Sequence, residues 1–189
     1  MAERKISEKS LENLKRFNRE NNAITRESIE ISLLQLLEKK DLKKITISEL
    51  VQRAGVSRAA FYRNYDSKEE ILESIFQSSI AKITKSLDGY NLKTDLYQVW
   101  VYLLKEVKKE AKIISLAIDY NFEQVLTKAV YDFLEKRNGS SSNGAGSYLN
   151  SFWSSAIVSV ISKWVKDGMK TPVEKIAKLG LPLFPQKKK

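Results

Sequence analysis

Two residue types are missing altogether: the 189-residue chain contains no cysteine and no histidine. Their absence removes thiol nucleophiles, disulfides, zinc sites of the Cys/His kind, haem held by histidine, and every Ser-His or Cys-His catalytic pair. Turn formers are scarce too, with seven glycines and three prolines. No glycine precedes Gly55, and Pro172, Pro182 and Pro185 all lie near the C-terminus, so little interrupts a helix over most of the length. Long apolar runs are also lacking. Met1 to Glu20 is polar and offers no signal-peptide core, and the best uncharged stretch, Leu96 to Leu104, is followed at once by Lys105 and Glu106, well short of a membrane span. A cytoplasmic location without membrane partners is expected. The phosphate-cradling G-x-x-x-x-G-K-[ST] is absent, and the G-x-G at Gly144 to Gly146 has Leu149 where a dinucleotide fingerprint needs its third glycine. No carboxylate pair has a context suggesting acid/base work. The chain is expected not to be an enzyme and to need no cofactor or metal.

What is abundant is positive charge: 33 Lys and Arg against 23 Asp and Glu leave +10, with a pI near 9.6. A surplus of that size favours a polyanionic partner through counterion release, either nucleic acid or an anionic membrane surface, although a lysine-rich solubilising surface gives the same sum. Hydrophobic residues make up 42% of the chain, sufficient for a sizeable core. Their spacing is helical throughout. Ile29, Leu33, Leu36 and Leu37 fall at i, i+4, i+7 and i+8; Leu96, Val99, Trp100, Leu103, Leu104 and Val107 form one later stripe, and Phe122, Val125, Leu126, Ala129, Val130, Phe133 and Leu134 another. No segment sustains a period of two, which predicts an all-α fold. Thr46 with Glu49, Ser67 with Glu70 and Thr171 with Glu174 have capping-box spacing, the last with Pro172 at the first helical position. The stretch Asn138 to Ser147, N-G-S-S-S-N-G-A-G-S, reads as a mobile loop between two helices.

Residues 46–65, T-I-S-E-L-V-Q-R-A-G-V-S-R-A-A-F-Y-R-N-Y, carry the specific signal. Thr46 caps a short helix with apolar Leu50, Val51 and Ala54. Gly55 then supplies the positive φ of a tight turn, Val56 plugs it, and Ser57 caps a second short helix pinned by Phe61. This is a helix-turn-helix whose second helix exposes Arg58, Ala59, Tyr62 and Arg63. Such a helix fits the DNA major groove, where arginine can grip guanine in a bidentate contact and a small alanine allows close approach. From Lys39 to Lys68 there are eight basic residues against three acidic ones, a local +5.

Residues 24–76 resemble the DNA-binding domain of the TetR family of bacterial regulators. The likeness rests on L-L-E-K-K-D-L-K-K followed by A-G-V-S-R, F-Y-R and S-K-E-E-I-L. The resemblance implies that Thr46, Tyr62, Asn64 and Lys68 contact the phosphate backbone and that Ser57, Arg58 and Ala59 face bases, with Ser48 a further base-facing candidate. Asn64 stands where the family often has histidine, and Ala60 where it often has threonine. Phe61 and Tyr65 are expected in the small core.

On the same resemblance the chain divides into an N-terminal extension (1–23), the helix-turn-helix domain (24–76) and a helical domain (77–189) that dimerises and holds a small hydrophobic effector. The extension either lengthens the first helix or forms an arm into the minor groove. Segment 148–165 carries adjacent apolar pairs every four residues, and Phe152, Trp153, Ile157, Val160, Ile161 and Trp164 are the expected face of a four-helix bundle across a two-fold axis. Tyr97, Trp100, Tyr120 and Phe122 are candidate pocket residues, with plain core as the competing reading. The expected protein is a homodimeric repressor on a roughly palindromic operator, released by a small molecule. The alternative is a helix-turn-helix regulator whose C-terminal domain answers to a protein partner, an activator included.

Overall fold

A computed structural model describes residues 7–91, 94–138 and 145–181 of the chain. Among the described residues there are nine α-helices and no strands, the all-α fold that the periodicity predicts. No helix among them is long and apolar enough to cross a membrane. The chain divides into two compact units, Met1–Leu72 and Glu73–Lys189, with the boundary inside helix α4 (Lys68–Lys85).

In the first unit α1 runs from Glu8 to Leu37, capped by Ser7, whose Oγ accepts from the Ser10 N–H at 3.2 Å. No glycine or proline interrupts these 30 residues, so the extension is continuous helix rather than a separate arm as far as it is described. Only its second half has a core to lie on. Residues 7–24 are all exposed, whereas Ile29, Leu33 and Leu36 are buried. These three pack with Leu42, Ile45, Leu50, Phe61, Tyr65, Ile71 and Leu72 into one small core. At about 1.5–3 kcal/mol for each large apolar side chain removed from water, this cluster accounts for the cohesion of so short a domain. Tyr65 is buried yet satisfied: its hydroxyl donates to Glu30 Oε1 at 2.5 Å, and the Arg26 guanidinium lies 4.3 Å above its ring.

The second unit contains the rest of α4, α5 (Leu96–Lys109), α6 (Ala111–Asp119), α7 (Glu123–Asn138), α8 (Ala145–Lys166) and α9 (Val173–Ala177). Helix α8 packs on α7 and α6, and α9 lies on α5. Helix α6 ends in a Schellman turn without glycine, in which Asn121 takes φ +62° and the Phe122 N–H reaches back to the Ala117 carbonyl at 2.6 Å. Two local expectations need correction. Thr171 does not cap α9: Pro172 stands at the N-cap with no side-chain bond, and the Thr171 carbonyl accepts the Trp164 Nε1–H at 2.8 Å instead. The expected loop 138–147 is shorter than its composition suggests, because Asn138 closes α7 and Ala145 opens α8; the stretch between lies outside the described residues, as does the P-Q-K-K-K end.

Candidate nucleic-acid interface

The helix-turn-helix is built from bonds that lie close together in the chain. Thr46 Oγ1 accepts from the Glu49 N–H at 3.2 Å and starts α2 (Ile47–Ala54). Gly55 then takes φ +66°, and the Val56 N–H closes the turn on the Val51 carbonyl at 3.1 Å. Ser57 Oγ accepts from the Ala60 N–H at 3.0 Å and starts α3 (Arg58–Tyr62). Phe61 is fully buried and fixes the rotation of α3 about its axis. With that face turned inward, Arg58, Ala59, Tyr62 and Arg63 are left exposed. The Tyr62 ring stands edge-on to Phe61 at 5.1 Å, and the residue is 52% exposed, so it packs on the buried ring while remaining half open to solvent. Arg58 has no hydrogen bond or ion pair among the described residues, which leaves its planar fork open to an external acceptor.

Other residues singled out from the sequence are more occupied. Thr46 and Ser57 are exposed, but each hydroxyl oxygen already accepts one bond as a helix cap, leaving its O–H and a second lone pair for other partners. Ser48 is exposed on the first turn of α2. Asn64 is half-buried, and its Nδ2 donates to the Ala60 carbonyl at 2.8 Å, so it finishes α3 from within. Lys68 Nζ donates to the carbonyls of Leu42 and Ile45 at 2.7 and 2.6 Å, tying the start of α4 to the 3₁₀ turn Leu42–Lys44. One of its three ammonium protons is left for a phosphate. Lys40 pairs with Glu49 at 2.6 Å, and the hydrogen bond from Lys40 holds the Glu49 carboxyl below the usual carboxylate range. Lys39, Lys43, Lys44, Arg58 and Arg63 carry no such side-chain partner among the described residues and contribute uncompensated positive charge around the helix-turn-helix.

In the second unit the expected dimer face is split. Ile157, Ile161 and Trp164 are buried within the subunit, the first two against a cavity and the third bonded to Thr171, so they are core and not outer surface. Phe152 is 62% exposed, and Trp153 and Val160 are half-buried. With Leu149 and Ala156, Trp153 and Val160 form an outward stripe at i, i+4, i+7 and i+11, which the sequence pattern had merged with the inner one. The Trp153 Nε1–H is shielded from solvent and has no acceptor among the described residues. The expected pocket aromatics are not brought together. Tyr97 is 41% exposed, Trp100 is buried with its Nε1–H on the Leu181 carbonyl at 2.8 Å, and Phe122 packs on Phe76 in a tilted pair with centroids 5.4 Å apart. Tyr120 is half-buried, and none of the four lines the cavity. The aliphatic residues that do, among them Ile80, Ile83, Leu103 and Val130, carry no signal in the sequence that separates them from ordinary core.

A capped, glycine-turned pair of short helices with an exposed arginine face, followed by an all-helical unit, defines the class of helix-turn-helix transcriptional regulators. The model for "Bacterial regulatory proteins, tetR family" matches residues 33–75, and that for "Transcriptional regulator C-terminal region" matches residues 91–181. The chain belongs to the TetR family. It is 34% identical over 95 residues to YxbF, an HTH-type transcriptional regulator of Bacillus subtilis, covering 50% of this chain and 23% of YxbF. It is 27% identical over 125 residues to DhaS of Lactococcus lactis, an HTH-type transcriptional activator of the dhaKLM operon, covering 61% of this chain and 66% of DhaS. The crystal structure of Lin0861 from Listeria innocua has the same fold, with a TM-score of 0.70 at 16% identity, covering 84% of this chain and 88% of that one.

Proposed function

We propose that this chain is a homodimeric, sequence-specific DNA-binding regulator that acts in the cytoplasm. Two α3 helices would enter successive major grooves about 34 Å apart on a near-palindromic operator. The observation that carries this reading is Arg58: an exposed guanidinium with no partner among the described residues, beside the small Ala59, on a helix whose rotation is fixed by buried Phe61. Arg58 reads guanine, Ala59 admits the base edge, and Tyr62, Thr46 and the remaining proton of Lys68 lie on phosphates, with Ser48, Ser57 and Asn64 as supporting contacts. Dimerisation uses the outward stripe of α8 with Phe152. Repression relieved by a small effector is the first reading; the effector favours a dimer whose α3 spacing no longer matches the groove repeat. Activation is the second reading, supported by the likeness to DhaS.

The test is selection from randomised duplex DNA, with wild type beside Arg58→Ala. A palindromic consensus is expected, and the variant should lose about 1–3 kcal/mol of discrimination at the bases Arg58 reads. Binding without enrichment, abolished equally by salt in both proteins, would show that only non-specific charge is at work.

A further inference from the structure

The second unit holds two adjoining spaces of opposite character. One is a small cavity of about 50 Å³ lined by aliphatic side chains and Phe133, with Thr84 its sole polar residue. The other is a surface groove of about 700 Å³ between α4 and α7. Ile80, Thr84 and Phe133 line both, so a ligand in the groove lies one layer of side chains from the cavity. Ala81, Val125 and Ala129 contribute small apolar surfaces to the groove.

Charge separates this groove from a plain apolar cleft. Lys85, Lys128, Lys136 and Arg137 face it against Asp132 alone, four cations to one anion, or +3. Two of the cations are engaged: Lys128 pairs with Asp132 at 3.2 Å, and Arg137 donates to the carbonyls of Leu87 and Tyr90. Lys85 and Lys136 are exposed and have no partner among the described residues. The Thr84 hydroxyl donates to the Ile80 carbonyl at 2.9 Å, so Lys85 and Lys136 are the cations left to recognise an anionic head group, with Gln77 as a neutral polar neighbour in the groove lining.

We propose that the groove takes an amphipathic anion, an alkyl or aryl chain ending in a carboxylate or phosphate. Lys85 and Lys136 hold the head, and the chain lies over Ala81 and Ala129 and passes Phe133 toward the cavity. This rests on the effector-controlled reading above and specifies the chemical class of the effector. A water molecule claims about 30 Å³ in the liquid, so a 50 Å³ space admits only the tip of a chain, and binding must displace Phe133 and Ile80 to seat the rest.

Calorimetric titration of the full chain with decanoate, decyl phosphate, decanol, decyltrimethylammonium and butyrate tests the proposal. Both ten-carbon anions should bind once per subunit, with decanol, the cation and butyrate at least ten-fold weaker. Lys85→Gln/Lys136→Gln should weaken the anions at least ten-fold and leave decanol unchanged. Both changes lie on exposed side chains, and far-UV circular dichroism checks that the variant is folded. The ratio of decanoate to decyl phosphate affinity tells which head group the site prefers. Decanol binding as tightly as decanoate, butyrate matching decanoate, an unaffected double variant, or no binding of either ten-carbon anion would each overturn the site. Operator affinity measured in the same samples separates the two ideas. Decanoate bound in the expected pattern with unchanged operator affinity removes effector control and leaves the site; a different small molecule shifting operator affinity while the anions fail to bind removes the site and leaves effector control.

Discussion

Val160 and Ile161 are neighbours in the chain, and substituting them should have unlike consequences. Ile161 is 8% exposed and lines the small aliphatic cavity. Ile161→Ala removes three carbons, about 2.4 kcal/mol at 0.8 kcal/mol per methylene, and the cavity beside it grows instead of collapsing, which brings the loss to about 3 kcal/mol. Val160→Glu adds a carboxylate to the outward stripe of α8. In an isologous interface each change appears twice near the two-fold axis, and an unpaired carboxylate buried there costs several kcal/mol. A penalty of about 2.8 kcal/mol is a hundred-fold rise in the dimer dissociation constant. Sedimentation velocity over a dilution series reads association, and urea denaturation followed by far-UV circular dichroism reads stability. Val160→Glu should sediment as a folded monomer, and Ile161→Ala as a dimer with a lowered urea midpoint. A Val160→Glu dimer as tight as wild type refutes the interface. A folded, fully stable Ile161→Ala monomer refutes the assignment of the two faces.

Gly55→Ala meets no steric obstacle, since nothing lies within 4 Å of the added carbon, so its effect is the left-handed backbone alone, about 1–2 kcal/mol of stability. A thermal midpoint unchanged from wild type would contradict the role assigned to that turn. Glu49 should titrate below the ordinary glutamate range, because Lys40 and, after it, the Thr46 backbone bond and Arg53 favour its charged form over an opposing burial effect. Its folded-state pKa is lowered, so its contribution to stability is present above the unfolded-state value and is lost as pH falls through the folded-state one. Carboxyl NMR should show the Glu49 midpoint rising in Lys40→Met, and an unmoved midpoint would assign the shift elsewhere.

The helix-turn-helix was legible because everything that makes it is local: two caps, one left-handed glycine and one buried aromatic within sixteen residues, Thr46 to Phe61. What failed to show in the sequence depends on neighbours distant in the chain. An apolar residue on α8 looks the same whether α7 or empty space lies against it, so Ile157, Ile161 and Trp164 were grouped with Trp153 and Val160. Tyr97, Trp100, Tyr120 and Phe122 are set apart in the sequence by their size, yet the cavity wall is mostly aliphatic and its spacing is that of ordinary core. Thr171 has cap spacing, but the Trp164 indole, seven residues earlier, claims its carbonyl. The groove lysines gave no signal because Lys85 and Lys136 lie far apart in sequence and share a groove only through the folded placement of α4 and α7.

The first half of α1 has a thermodynamic consequence of its own. Residues 8–24 form helix with no buried residue among them, and a helix of about that length has marginal stability in water without packing. Four asparagines, at 13, 18, 21 and 22, weaken it further. Amide hydrogen exchange should therefore rise steadily from Ile29 toward Ser7, with each turn opening independently of global unfolding. The N-terminal turns then hold a reserve of conformational entropy: any surface that clamps them must first meet the cost of ordering them, and its affinity will respond to single helix-favouring substitutions that touch no partner at all.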